Sequence, residues 1–233
     1  MKTINVKGAV MDNDSAWFYD YFSMDYTSPK SVADVLNDGE VDDVVVNISS
    51  PGGDVFAASE IYSELKAYPG NVTVNVQGLA ASAASVIAMA GDTVNMAPTA
   101  QLMIHKASTT QDGNSDDMDS ASAMLDNTDK SIANAYQLKT GKSQADLLQM
   151  MSNETWLNAQ DAVNQGFADS IMFVDENAPL VTNSLEAALP PKSAINKLMN
   201  IIANDKQKEI NNKTDSQPVD DLKARKLAIL LDK

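Results

Sequence analysis

The sequence predicts an α/β fold, because segments with strand character alternate with segments of helical periodicity and Gly- or Pro-containing breaks separate them. Val44–Ile48 is a compact, mostly β-branched run that is typical of a buried strand. Val72, Val74 and Val76 alternate with polar residues and indicate another strand. Alternation of this kind favours a sheet with largely parallel pairing.

The first half of the chain contains two helix signals. A short strand candidate, Ile4–Val10, comes before them. Ser28-Pro29 is typical of an N-cap followed by a first helical position, so a helix is predicted to begin there. The strand at 44–48 is predicted to break at Ser49–Gly53, and the next helix carries apolar residues at helical spacing until Pro69-Gly70 ends it.

The second half is predicted to repeat this theme and then to become mainly helical. Gln77-Gly78 is expected to end the strand that contains Val76. A helix of small residues and two strands follow, at Ala80–Ala90, Thr93–Met96 and Leu102–Ile104. A long helix is predicted over about Met118–Lys139, with Gly141 as its cap. Ser143 and Asn158 are typical N-caps of two shorter helices.

Composition excludes several classes of site. The chain has no cysteine and one histidine, so disulfides, thiolate metal sites and multi-histidine metal sites are excluded. It has no Gly-x-x-x-x-Gly-Lys-Ser/Thr loop, and neither a metal nor another cofactor is expected. The net charge of −15 opposes binding to nucleic acid or to an anionic membrane.

Residues 1–175 are predicted to form one domain, and residues 176–233 a linker and a partly disordered tail. From Glu176 onward the composition shifts to Asn, Lys, Asp and Pro, with short amphipathic segments near 193–203 and 219–231. The N-terminus lacks the apolar run of a secretory signal, and no stretch reaches the roughly 18 apolar residues of a membrane helix. A cytoplasmic location is therefore expected.

Ser82 is the first candidate catalytic residue. It follows a predicted strand at the start of a predicted helix, where unpaired N–H groups could stabilise an oxyanion on a bound carbonyl. Its neighbours Ala80, Ala81, Ala83 and Ala84 leave room for a polypeptide. The same pattern is equally typical of a tightly packed helix start with a capping serine.

His105 is the second candidate. It follows Leu102–Ile104 at a strand end, the position at which α/β folds place their sites. A lone histidine in such a place is more often structural. However, an activated serine needs a neutral imidazole, so if Ser82 is a nucleophile, His105 is its base by elimination.

An acid that orients the imidazole is harder to choose. Glu154, Asp161 and Asp169 lie in one downstream stretch, and spacing alone does not distinguish them from solvated or capping carboxylates. The pair Gly52-Gly53 permits backbone N–H groups to approach a ligand closely, although an ordinary strand-to-helix turn would carry the same residues.

Together these segments resemble the Clp protease proteolytic subunit family over about residues 1–175. Four motifs in the family's order carry the resemblance: Ser50–Gly53, Gly78–Ala83, Met103–His105, and Trp156–Ala159 with Gly166–Asp169. The resemblance implies a crotonase-like spiral of ββα units, a ring-shaped homo-oligomer, and a protruding long helix that acts as the handle between rings. An acyl-CoA enzyme of the same fold is disfavoured, because those enzymes use carboxylates and no serine nucleophile.

Matched residue by residue, the resemblance implies a serine endopeptidase with Ser82 as nucleophile and His105 as base. The Gly53 and Ala83 amides match the oxyanion donors, beside Gly52 in the substrate-binding turn. The family's aspartate lies two residues before an aromatic residue, and here Glu154 takes that place before Trp156. Asp169 matches a different family position and is expected to be structural.

Within the family, the chain is most similar to the phage head-maturation, or prohead, proteases, which cut scaffold or capsid precursors. Glu154–Leu157 and the segment from Trp17 to Lys30 carry that similarity. The expected partners are therefore polypeptides, including phage scaffold or capsid protein in a bacterial host cytoplasm. Two alternatives stay open: a degradative subunit that docks a ring Clp ATPase, and a non-catalytic assembly protein of the same fold.

Overall fold

Eight strands and seven helices alternate along residues 1–174, the part of the chain that the computed structural model describes. The strands are β1 (Lys2–Val10), β2 (Tyr26–Thr27), β3 (Val44–Gly53), β4 (Val72–Ala81), β5 (Thr93–Met96), β6 (Gln101–Ile104), β7 (Thr155–Asn158) and β8 (Ser170–Ile171). The helices are α1 (Ala16–Tyr21), α2 (Pro29–Leu36), α3 (Val55–Ala67), α4 (Ala83–Ala88), α5 (Ser115–Thr140), α6 (Gln144–Ser152) and α7 (Ala159–Asn164).

One sheet contains all eight strands, and the predicted α/β class with parallel pairing is confirmed. The strand order is β2-β1-β3-β4-β5-β8, and every neighbouring pair in that series is parallel. The first half of β4 pairs with β5, whereas its last residues, Leu79–Ala81, pair with β6. Strand β6 then pairs with β7 in the antiparallel direction. The C-terminal end of β4 is thus brought next to the C-terminal end of β6.

Two predicted strand ends were wrong, and both lie beside the candidate site. Strand β3 continues through Ser49–Gly53, because the Ser50 hydroxyl donates to the Gly8 carbonyl at 2.6 Å and the segment stays paired with β1. Strand β4 continues past Gln77-Gly78 to Ala81, because its small residues pair with β6. The small-residue helix accordingly spans Ala83–Ala88 rather than Ala80–Ala90.

Several predicted helix ends are confirmed. The Ser28 hydroxyl accepts from the Ser31 amide to cap α2, and Pro29 is its first residue. Gly141 ends α5 in the left-handed region at φ 70°, which glycine adopts without steric cost. The side chains of Ser143 and Asn158 cap α6 and α7. Helix α5 is longer than predicted because Asn114 caps it, accepting from the Asp116 and Asp117 amides.

The core lies where helices α2, α3 and α4 pack on the sheet. Val46, Ile48 and Val76 point into it from the central strands, and Ile61 and Leu65 cover them from α3. Each of these side chains is almost wholly removed from water, which is the main source of stabilisation for such a sheet. The ends of β4 and β6 are thereby fixed on a rigid base.

The predictions for residues 176–233, a linker with a partly disordered tail, lie outside the described residues. Within residues 1–174, no helix has the length and apolar character needed to cross a membrane.

Candidate active site

Ser82 occupies a strained turn between β4 and α4. Its backbone has φ 55° and ψ −126°, a combination that costs a residue with a side chain on the order of 1–3 kcal/mol. The Ser82 amide donates to the Met103 carbonyl of β6 at 2.9 Å, and this bond carries the pairing of β4 with β6 one residue further. Such a strand-to-helix turn is a recurrent way to expose a nucleophilic serine.

His105 lies directly after β6 and faces Ser82. Its Nε2 is 2.7 Å from the Ser82 Oγ, and both side chains are half-buried. With Nε2 unprotonated, the serine hydroxyl donates to it, which is the arrangement a general base requires. The register explains the contact, since Ala81 pairs with Met103 and the two strand ends leave the sheet side by side.

Gly52 and Gly53 pass under the Ser82 turn at the end of β3. A methyl group on Gly52 would lie 2.5 Å from the Ala81 carbonyl oxygen and 2.8 Å from the Ala83 nitrogen. One on Gly53 would lie 2.1 Å from the Val10 carbonyl oxygen. Both glycines have positive φ, so only glycine fits these positions. The close approach places this backbone next to the Ala83 amide, the first in α4.

Glu154 lies immediately before the first residue of β7, opposite His105. Ile104 pairs with Thr155, so the next residue on each strand is His105 and Glu154. The Glu154 side chain is exposed, and its Oε1 accepts from the Trp156 indole N–H at 3.3 Å. The described residues contain no hydrogen bond between His105 and Glu154. The fold therefore brings the two backbones together while the carboxylate is bound elsewhere.

The carboxylates of the other two acid candidates bind groups away from the Ser82–His105 pair. The Asp169 carboxylate accepts from the Val94 amide at 2.7 Å and from the Lys139 ammonium group at 2.7 Å. The Asp161 carboxylate accepts from the Asn158 side-chain amide at the start of α7. These contacts link Asp169 to β5 and to α5, and its structural role stays a prediction.

A cleft of about 280 Å³ opens beside Ser82 and His105. Its floor is formed by α4 and α5, and its apolar lining includes Val86, Leu125 and Ile132. Phe56 stands at its edge and is exposed. A cleft of this size, lined by these apolar residues and by polar ones such as Lys106, Ser108 and Thr128, suits the side chain of an extended peptide.

Three residues near the site were missed by the reasoning from sequence: Ser85, Asp129 and Tyr136. All three are buried. Asp129 accepts from the Ala107 amide at 2.8 Å and lies 3.7 Å from the Lys106 ammonium group, so it holds the segment that follows His105. The available signal was the i, i+3, i+4, i+7 series Asp129, Ile132, Ala133 and Tyr136, which is the buried face of α5.

Comparison with known proteins finds a family model and several relatives that match this part of the chain. The model of the Clp protease family matches residues 32–175, which include Ser82, His105 and Glu154. The ATP-dependent Clp protease proteolytic subunit 1 of Chlamydia abortus is 31% identical over 134 residues, covering 56% of this chain and 70% of that protein. The ATP-dependent Clp protease proteolytic subunit of Deinococcus radiodurans is 28% identical over 132 residues, covering 56% and 65%. The corresponding subunit of Bacteroides fragilis is 28% identical over 153 residues, covering 64% and 74%.

Proposed function

The chain belongs to the Clp protease family, and we propose that it is a serine endopeptidase with Ser82 as its nucleophile. The observation that carries the proposal is the 2.7 Å contact between the Ser82 Oγ and the His105 Nε2. The strained Ser82 turn and the adjacent cleft support it, because both serve the exposure of a nucleophile to a peptide.

In the proposed mechanism, His105 takes the Ser82 hydroxyl proton as Oγ attacks the substrate carbonyl carbon. The carbonyl oxygen becomes an oxyanion, stabilised by the amides of Gly53 and Ala83, with Gly52 holding the turn close. Collapse of this intermediate breaks the C–N bond, and His105 gives its proton to the leaving amine. Water then hydrolyses the Ser82 ester by the same steps.

We assign Glu154 as the acid that would orient His105. The position of Glu154 opposite His105 in the register of β6 and β7 supports the assignment. To reach His105, the Glu154 carboxylate must leave its bond to the Trp156 indole by a change of side-chain rotamer. Glutamate is one methylene longer than the family's aspartate, so its carboxylate must adopt a different rotamer to reach the His105 ring. The carboxylate would then accept from Nδ1 and hold the tautomer that leaves Nε2 free.

A fluorophosphonate probe tests the function directly. We expect one covalent adduct per chain in the intact mass of wild-type protein, and no adduct in Ser82→Ala. Ser59→Ala is the matched control, since the Ser59 hydroxyl donates to the Val55 carbonyl on the exposed side of α3, and it should label as the wild type does. An unlabelled, folded and oligomeric wild type would contradict the proposal, as would an adduct that persists in Ser82→Ala.

As the finer function we propose head maturation in a phage or prophage, with scaffold or capsid precursors as substrates and a ring of identical subunits as the active form. The support is the segment from Trp17 to Lys30, which lies before the region matched by the family model. Its aromatic residues Trp17, Tyr21 and Phe22 are exposed on the short helix α1 and the residue that follows it.

The second candidate is a degradative subunit that works with a ring ATPase. The names of the relatives favour it, because those proteins are ATP-dependent proteolytic subunits. The test is the rate at which the isolated chain cleaves an unfolded polypeptide. A rate that is unchanged when a Clp ATPase and ATP are added would favour head maturation. A cleavage rate that depends on the ATPase would favour the degradative subunit.

A further inference from the structure

A chain of three hydrogen-bonding groups leads from α5 to the backbone of Ser82. The Tyr136 hydroxyl is 2.8 Å from the Ser85 Oγ, and the Ser85 Oγ is 2.6 Å from the Ser82 carbonyl oxygen. The Ser85 amide also donates to this oxygen, at 2.9 Å. Tyr136 and Ser85 are both buried, so water does not compete for these bonds.

The direction of each bond follows from the number of protons. The Ser85 hydroxyl has one proton, and it is given to the Ser82 carbonyl because a carbonyl oxygen can only accept. The Tyr136 hydroxyl must therefore donate to the Ser85 Oγ. It keeps its proton, since burial raises the pKa of Tyr136 far above its usual value, an effect that the bond to Ser85 offsets only in part.

The anchored carbonyl belongs to the same peptide group as the Ala83 amide. A peptide group is planar and trans, so its C=O and N–H bonds point in opposite directions. Holding the Ser82 carbonyl toward Ser85 and Tyr136 therefore fixes the opposite direction of the Ala83 N–H. That amide is one of the two proposed oxyanion donors, and it follows the strained Ser82, which lies between the end of β4 and the start of α4.

We propose that Ser85 and Tyr136 are positioning residues, which aim the Ala83 amide at the oxyanion by anchoring the Ser82 carbonyl. The proposal rests on the serine peptidase function above. It assigns to α5 a part in catalysis besides lining the cleft. Because an oxyanion forms only during the reaction, loss of the anchor should slow the chemical step and leave ground-state binding unchanged.

The test is the rate of labelling by a fluorophosphonate over a range of probe concentrations, which separates the maximal rate from the half-saturating concentration. Tyr136→Phe removes one neutral hydrogen bond, and we expect the maximal rate to fall about fivefold. Ser85→Ala removes the hydroxyl that anchors the Ser82 carbonyl and leaves only the Ser85 amide bonded to it, and we expect a fall of about 10- to 50-fold, below the full loss of an oxyanion donor. The half-saturating concentration should stay within about twofold of wild type in both variants.

The double variant decides whether the two residues act as one chain. If Tyr136 acts through Ser85, then Tyr136→Phe adds less than about twofold in the Ser85→Ala background, whereas independent effects would multiply. Multiplied effects, or a wild-type maximal rate in Tyr136→Phe, would overturn the proposal. Should Ser85→Ala fail to fold by circular dichroism, the maximal rate of Tyr136→Phe decides alone.

Tyr68→Phe is the matched control, because the Tyr68 hydroxyl likewise donates one hydrogen bond, in its case to the Asp42 carbonyl at 2.8 Å, and Tyr68 packs against the core. It should label at the wild-type rate. An equal fall in Tyr68→Phe would overturn the proposal by indicating general loosening of the fold. An unlabelled wild type would contradict the peptidase function instead, so the two failures are distinguishable.

Discussion

The Ser82 turn and the Glu154 turn are built in opposite ways, although each carries a proposed catalytic residue with positive φ. Ser82, at φ 55°, is backed by β6, by Ser85 and by the close approach of Gly52. Glu154, at φ 48°, is exposed, and its carboxylate bonds to the neighbouring indole of Trp156. The fold therefore holds Ser82 and His105 in contact, whereas the Glu154 carboxylate is held only by its bond to the Trp156 indole.

This difference separates two kinds of contribution to a catalytic site. A turn that is held by hydrogen bonds and by a close backbone contact has one geometry, so a small change in its packing displaces the nucleophile. An exposed side chain can adopt several rotamers, so its contribution depends on which of them is populated when substrate is bound. A substitution that displaces the Ser82 turn should therefore lower the reaction rate more than a substitution of Glu154.

Gly52→Ala is expected to have the largest effect, a fall in the labelling rate of Ser82 of about 10⁴-fold, similar to loss of a triad member. The added methyl group would lie 2.5 Å from the Ala81 carbonyl oxygen and 2.8 Å from the Ser82 Cβ, so the turn must move. Intact-mass kinetics with a fluorophosphonate measure it. Gly39→Ala is the control, because Gly39 also has positive φ, at 95°, and no described atom within 4 Å of the added group. Equal losses in both variants would refute the steric explanation.

Glu154→Gln is expected to lower turnover by about 10²–10³-fold, because an amide cannot stabilise the imidazolium form of His105 as a carboxylate does. This is less than the roughly 10⁴-fold loss of a triad acid that is already bonded to its base, since the Glu154 carboxylate is bonded to the Trp156 indole. The loss should be below that of Gly52→Ala, since the turn that holds Ser82 is untouched. Peptide hydrolysis by the purified protein measures it.

Asp169→Asn is the matched control for that experiment, because Asp169 also combines a carboxylate with a nearby donor, the Lys139 ammonium group at 2.7 Å. We expect it to retain turnover within about threefold. If Asp169→Asn fell by orders of magnitude and Glu154→Gln did not, the assignment of the acid would be reversed.

The sequence predicted the α/β class and the end of β6 that carries His105, because strand runs and breaks are local features. It did not predict that β3 and β4 continue through Gly53 and Ala81, since their pairing with β1 and β6 comes from distant parts of the chain. Ser85 and Tyr136 were missed for the same reason, because 51 residues separate them. The choice among Glu154, Asp161 and Asp169 required the family's motif, and the register of β6 with β7 then supplied a physical reason for it.

The smallest expected effect concerns the backbone strain of the two turns. Exchange of Ala for Gly at one position changes little except the cost of positive φ and the entropy of the unfolded chain. Ser82→Gly should be more stable than Ser82→Ala by about 1–2 kcal/mol, because φ 55° with ψ −126° lies outside the regions open to residues with a Cβ. The free energy of unfolding of Glu154→Gly should exceed that of Glu154→Ala by less than about 1 kcal/mol. The reason is that the strain of positive φ, at 48°, is nearly offset by the greater entropy that glycine loses on folding. Urea unfolding of the four variants at one protein concentration measures both differences. If the Gly variant gained more unfolding free energy over the Ala variant at Glu154 than at Ser82, the Glu154 turn, and not the Ser82 turn, would carry the greater strain.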